Sequence, residues 1–238
     1  MKLIEDIKSI ARKEIKTIVL PEVEDERVLR AAVEAEKEGI AKIILVGNEE
    51  VSSKLAKEKG IDISKIRFID VEKSEKLSFY GKKLYELRKH KGMTMEEACV
   101  KILDPVYFGM MMVKCNDADG LVSGAAHSTA DTLRPALQII KTKEGEKLVS
   151  AFFLMDVPDC SYGENGVFIF ADCALNENPD SETLAEIAAT SARTFEKLVQ
   201  KEARIAMLSY STHGSKDSEL TEKVVKATEI LKQKYPNI

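Results

Sequence analysis

The sequence lacks any run of apolar residues long enough to span a bilayer, which excludes a transmembrane helix. The first residues, MKLIEDIKSIARKEIKT, are charged throughout and lack the apolar stretch of a secretory signal. The 238 residues hold only four cysteines, Cys99, Cys115, Cys160 and Cys173, too far apart for a zinc ribbon or CxxC pair. Reduced thiols in a cytoplasmic protein are expected. Positive charge is not in excess: the net charge is −4, whereas nucleic-acid binders cluster Lys and Arg. No GxxxxGK[ST], GxGxxG or HExxH motif occurs, so no nucleotide fingerprint or metal site is expected. Apolar residues nonetheless make up 44%, enough for a real core, and charged residues of both signs 32%. A partner that is neither nucleic acid nor membrane follows.

Short apolar runs alternate with helical periodicity. Residues 2–14 read as an amphipathic helix, and TIVL (17–20) as a strand stopped by Pro21. Asp25 opens a helix that carries Val28, Leu29, Ala32 and Val33 and closes at Gly39. A strand at 42–46, a helix to Gly60 and a weak strand near 66–69 continue the alternation. Residues 74–113 read as helices (74–89, 94–102 and 105–113), the second opened by a Thr94/Glu97 capping box. DGLV (119–122) reads as a buried strand, followed by a helix from His127 to Thr142 in which Pro135 predicts a kink or restart. The rhythm predicts an α/β fold with a largely parallel sheet. A polar stretch at KEGEK (143–147) predicts a boundary between a first domain, 1–144, and a second, 145–238. Beyond it, strands at 148–155 and 166–171 read as an antiparallel pair. A helix at 181–200, a strand at 204–208 (RIAML) and a helix at 217–232 follow.

DGLVSGAAHSTADTLRP (119–135) and ARIAMLSYSTHGSKD (203–217) share one design. Each places a loop of Gly, Ser and Thr between a strand and a helix N-terminus. Free N–H groups and the helix dipole favour an anion there, with hydroxyls of Ser128, Thr129, Ser211 and Ser215 as added donors. Plain capping turns fit the same pattern. Arg134 sits in an otherwise apolar or small segment and needs a partner, either an anionic ligand or a carboxylate such as Asp131. Arg88, Lys89, His90 and Lys91 form a basic cluster that fits a solvated helix end or a polyanion contact. His127 has the best place for acid–base work, although a packing role fits too. Cys115 and Cys160 have no catalytic context.

DGLVSGAAHSTADTLRPALQIIKT closely resembles a long motif of the phosphate acetyltransferase family. AMLSYSTHGS, VLPEVEDERVLRAA and ADCALNENPDSETLAEIA resemble further family segments, so the resemblance covers nearly the whole chain. It implies a two-domain fold like that of isocitrate and isopropylmalate dehydrogenases, and a homodimer joined through the second domain. It also implies the reaction acetyl-CoA + phosphate = acetyl phosphate + CoA through a ternary complex. No cofactor is bound tightly; coenzyme A and acetyl-CoA are substrates, with phosphate and acetyl phosphate. By the motif, Arg134, Ser128 and Thr129 face the phosphate and Arg88 the coenzyme A. Ser123, Gly124, His127, Ser211, Gly214 and Ser215 shape the substrate site. The family's aspartate base and a Ser-Arg pair belong to a C-terminal segment with no counterpart here. Part of the fold is therefore expected to be missing, and the 238-residue chain alone is expected to have little or no activity. Rivals are a phosphate butyryltransferase and a non-catalytic acetyl-CoA-binding regulatory domain, the latter disfavoured by a chain that begins at Met1 with its own helix. A dehydrogenase of related fold is weakly supported, because its metal-binding aspartates are not visible.

Overall fold

The computed structural model describes residues 2–212, 215 and 217–238. The chain divides into two compact units, Lys8–Lys141 and the residues up to Ile7 together with Thr142–Ile238. Helix α1 (Lys2–Lys13) opens the chain.

The unit Lys8–Lys141 is built on β1 (Lys16–Leu20), α2 (Glu26–Glu38), β2 (Ala41–Gly47), α3 (Glu49–Lys59) and β3 (Arg67–Asp70). It continues through α4 (Leu77–Arg88), α5 (Met95–Lys101), α6 (Pro105–Lys114), β4 (Gly120–Leu121) and α7 (Thr129–Pro135). The expected punctuation is present: Asp25 caps α2, Gly39 and Gly60 end α2 and α3 in the left-handed region, and Thr94 and Glu97 form the capping box of α5; Asn48, not singled out in the sequence, caps α3. The strands are ordered β3-β2-β1-β4, all parallel. Side chains of β2 alternate: Ile43 and Leu45 join α2 and α3 residues on one face, Ile44 and Val46 join α4 and α6 residues on the other. The sheet is therefore buried on both faces, as parallel sheets are. Gly109 lets α6 approach closely; a Cβ there would meet Leu121 Cδ1 at 2.6 Å and Val19 Cγ1 at 2.9 Å.

Two expectations change here. The 119–122 strand shortens to two half-buried residues. The helix expected over 127–142 begins at Thr129 and ends at Pro135, after which Ala136–Ile140 forms a π-helical turn. Proline has no N–H to give to the i−4 carbonyl, and the wider i→i+5 pattern takes over, with Lys141 N donating to Ala136 O at 3.0 Å.

In the other unit, β5 (Phe152–Asp156) and β6 (Val167–Ala171) pair antiparallel. Helix α8 (Ser181–Val199) packs on α9 (Glu219–Lys234) through Ala185, Ala188, Ala189 and Leu231. The strand expected at 204–208 does not form: these residues pair with no strand, and Leu208 is 83% exposed. An apolar run becomes a strand only where a ladder partner lies beside it.

Candidate anion-binding site

Strand β1 passes to β2 and β3 on one side, whereas β4 returns to its other side. The β1/β4 boundary is thus the switch point of the sheet, where parallel α/β layers bind ligands beyond the carboxyl ends of their strands. Val19 pairs with Leu121, so the segments following them, Pro21–Glu22 and 122–128, emerge side by side.

There Glu22, 2% exposed, gathers the loop. Its Oε2 accepts from the backbone N–H of Gly124 and Ala125 at 2.8 and 2.9 Å. Its Oε1 accepts from those of Ala126 and His127, both at 2.8 Å, and bonds His127 Nδ1 at 2.8 Å. Burial alone would raise the carboxyl's pKa, but the Ala126 and Ala125 amides and His127 outweigh it and hold the group well below the carboxylate range. Gly124 makes the turn at φ 114°, which side-chain-bearing residues rarely adopt. Arg27 reinforces it, donating to Ala125 O at 2.6 Å.

The expectation that these loop amides are free for a ligand is therefore corrected. The anion they hold is the protein's own carboxylate, because Glu22 reaches them from the neighbouring strand end. Ser128 is likewise engaged: it caps α7, accepts from Asp131 N at 3.2 Å and donates to Asp131 Oδ2 at 2.6 Å. Thr129 is the exposed first residue of α7.

A cavity of about 370 Å³ opens beside this loop. It is lined by Val100 and Lys101 at the end of α5, Asp104 and Tyr107 at the start of α6, and His127, Asp131, Arg134 and Pro135. Asp104 caps α6, accepting from Val106 N at 2.8 Å and Tyr107 N at 3.2 Å. Lys101 lies over the Tyr107 ring at 5.5 Å. The Tyr107 hydroxyl donates to Gln138 Oε1 at 3.1 Å. Burial raises its pKa, while the charges of Arg134 and Arg88 oppose the rise. Asp104 adds to the rise, and Arg88 does not line the cavity. Arg134 is not buried as its apolar surroundings suggest: its side chain is 59% exposed, and its nearest carboxylate, Asp131, is 3.9 Å away. The Nε of Arg88 and the hydroxyl of Ser123 are buried with no hydrogen-bond partner.

Of the residues singled out in the sequence, Arg134 and His127 share the cavity. Ser123 and Gly124 belong to the Glu22 loop. In the other unit, Ser211 and Ser215 hydroxyls bond each other at 2.8 Å and are spent locally. Gly214 and His213 lie outside the described residues. Sequence reasoning missed Glu22, Lys101 and Tyr107. A carboxylate two residues past the predicted end of a strand, in LPE, was the available signal for Glu22.

The unit Thr142–Ile238 holds a larger cavity of about 830 Å³, lined by apolar side chains such as Phe168, Ile187, Phe195 and Ile205 with a few charged ones. Among the described residues no cluster of His, Cys, Asp and Glu suits a metal ion, and no helix is long and apolar enough to cross a membrane.

A parallel α/β layer with a small cavity at its switch point, lined by two cations and two carboxylates, has the architecture in which such folds take small ligands. The profile described as phosphate acetyl/butaryl transferase matches residues 2–238, and the chain belongs to that family. It is similar to the phosphate acetyltransferase of Acetivibrio thermocellus, 54% identical over all of this chain and 71% of that protein. A phosphotransacetylase from Streptococcus pyogenes has a similar structure, with a TM-score of 0.89 at 38% identity, over 100% of this chain and 70% of that one. The EutD phosphotransacetylase from Staphylococcus aureus gives 0.85 at 40%, over 98% and 69%.

Proposed function

We infer that the chain serves acetyl transfer between coenzyme A and inorganic phosphate, acetyl-CoA + phosphate = acetyl phosphate + CoA. The observation that carries this reading is the cavity that joins Arg134, Lys101 and His127 at the switch point of a chain of this family. In the forward direction a phosphate oxygen attacks the thioester carbonyl carbon, the C–S bond breaks, and coenzyme A leaves as a thiolate that takes a proton. Arg134 and Lys101 supply donors and positive charge for the phosphate oxygens. Arg134, with Ser128 and Thr129 at the head of its helix, forms the phosphate-facing group. Ser128 would have to exchange its bond to Asp131 for one to substrate. Arg88, whose buried Nε has no partner, is assigned to coenzyme A. His127 lines the cavity, while Ser123, Gly124, Ser211, Gly214 and Ser215 are assigned to the substrate by resemblance alone.

The finer parts of the reading rest on resemblance. They are a first domain over 1–144 and a second over 145–238, the isocitrate dehydrogenase-like arrangement, a homodimer, a cytoplasmic setting, a ternary complex and the absence of any tightly bound cofactor. The family's description includes butyryl transfer, and rates with acetyl-CoA and butyryl-CoA decide between the two. The reading is tested by equilibrium binding of phosphate to the chain and to Arg134→Ala. A loss of roughly tenfold or more in affinity is expected for one charge-assisted contact, and equal affinity would sink the assignment. Coupled acetyl phosphate formation by the 238 residues alone would refute the expectation that a further base is needed.

A further inference from the structure

The bond between Glu22 and His127 constrains where hydrogens lie. All five groups that meet the Glu22 oxygens are nitrogens, four of them backbone N–H donors. Four backbone N–H donors on its two oxygens hold Glu22 as a carboxylate, an acceptor only, so His127 Nδ1 must carry hydrogen to meet it at 2.8 Å. In the neutral ring, Nε2 is then a bare acceptor. Nδ1 is anchored at a buried carboxylate and the ring lines the cavity, so Nε2 is the nitrogen available to a ligand there.

The other groups facing the cavity are two cations, Lys101 and Arg134, and two carboxylates, Asp104 and Asp131, both engaged in capping hydrogen bonds. The site thus offers donors for anionic oxygens, and His127 Nε2 is its uncharged nitrogen acceptor for a protonated one, beside the oxygens of Asp104, Asp131 and Tyr107. We propose that Glu22 is a positioning residue that fixes the His127 tautomer, and that His127 Nε2 selects monohydrogen phosphate, which can donate a P–O–H hydrogen, over sulfate, which cannot. This rests on the reading of the cavity as the phosphate site and adds the proton requirement to it. The two ions match in charge and tetrahedral shape near pH ~8, so the hydrogen is the main difference between them. A site built to accept a ligand's hydrogen rejects the analogue without it, because the lone pair is left facing an anion.

The test has two parts. The ¹⁵N spectrum of the chain labelled at histidine, with His127 identified by its loss in His127→Ala, reports which ring nitrogen is protonated. Titrations with phosphate and sulfate at equal ionic strength report selectivity. Expected are hydrogen on Nδ1 and none on Nε2 in the neutral ring, and a preference for phosphate of roughly tenfold. His127→Ala should lose the preference while still binding both anions. Glu22→Ala should lose it as the ring is freed to change tautomer. Glu22→Gln should keep it, its amide oxygen still accepting from Nδ1. Hydrogen on Nε2 in the wild type, or undiminished selectivity in His127→Ala, overturns the proposal whether or not Glu22→Ala folds. Failure of the wild type to bind phosphate, with the Nδ1–H state intact, sinks the functional reading and the selectivity with it.

Discussion

Glu22 and His127 lie 105 positions apart in sequence and meet through two contacts of 2.8 Å, one to the histidine backbone N–H and one to its ring Nδ1. The contact exists because β1 and β4 are parallel neighbours, so the residues that follow each strand share one end of the sheet. Sheet register thus sets the conformation of the loop that leads into α7 and Arg134.

Removing the Glu22 carboxylate leaves four backbone N–H groups without their acceptor. Glu22→Ala should cost about 3 kcal/mol or more, and Glu22→Gln, which retains one acceptor oxygen, about 1–3 kcal/mol. Urea unfolding checks this through the midpoint at constant slope. Hydrogen exchange should accelerate first at Gly124–His127.

The same group gives a pH dependence. Glu22 has a folded-state pKa well below its ordinary 4.5, so its contribution is complete above about pH 4.5 and is lost as pH falls toward the folded value. Asp172 behaves alike. Burial would raise its pKa, but the amides of Leu175 and Ala174, the Asn176 side chain and the Ala151 amide lower it well below 3.8. Stability should therefore fall on acidification below about pH 4.5. The stability gap between wild type and Glu22→Ala should narrow along that limb, and a constant gap would contradict it.

At Gly109, an added methyl meets Leu121 and buried Val19. Overpacking of about 1–3 kcal/mol outweighs the helix-propensity gain of under about 1 kcal/mol. Gly109→Ala should lower the melting temperature and Gly109→Val lower it further. Because β4 is only two residues long, the loop that follows should loosen as well.

The two arginines should separate by ligand. Arg88→Ala is expected to weaken coenzyme A by roughly tenfold and phosphate little, whereas Arg134→Ala weakens phosphate. Calorimetry with each ligand reads this, and parallel losses in both variants would contradict the division.

Periodicity and capping residues made most elements legible: Asp25 and Thr94 each cap the helix they precede, whereas the caps at Asn48 and Ser128 emerged only in the structure. The parallel sheet followed from its alternation with helices. What local sequence could not carry was pairing. RIAML has the composition of a strand yet finds no ladder partner, and the brevity of β4 depends on β1. The site was half legible for the same reason. Arg134 and His127 stand inside one motif, but Glu22, Lys101 and Tyr107 reach it from other elements. Glu22 also reversed the chemical meaning of the loop, from amides awaiting a ligand to amides already bound to a carboxylate.

The most direct measurement is diffraction from crystals of the chain soaked with acetyl phosphate. The phosphoryl group should lie in the cavity within hydrogen-bond distance of the Arg134 guanidinium, with His127 Nε2 facing one of its oxygens. Density for that group in the larger apolar cavity of the Thr142–Ile238 unit, with the Arg134 cavity empty, would contradict the account.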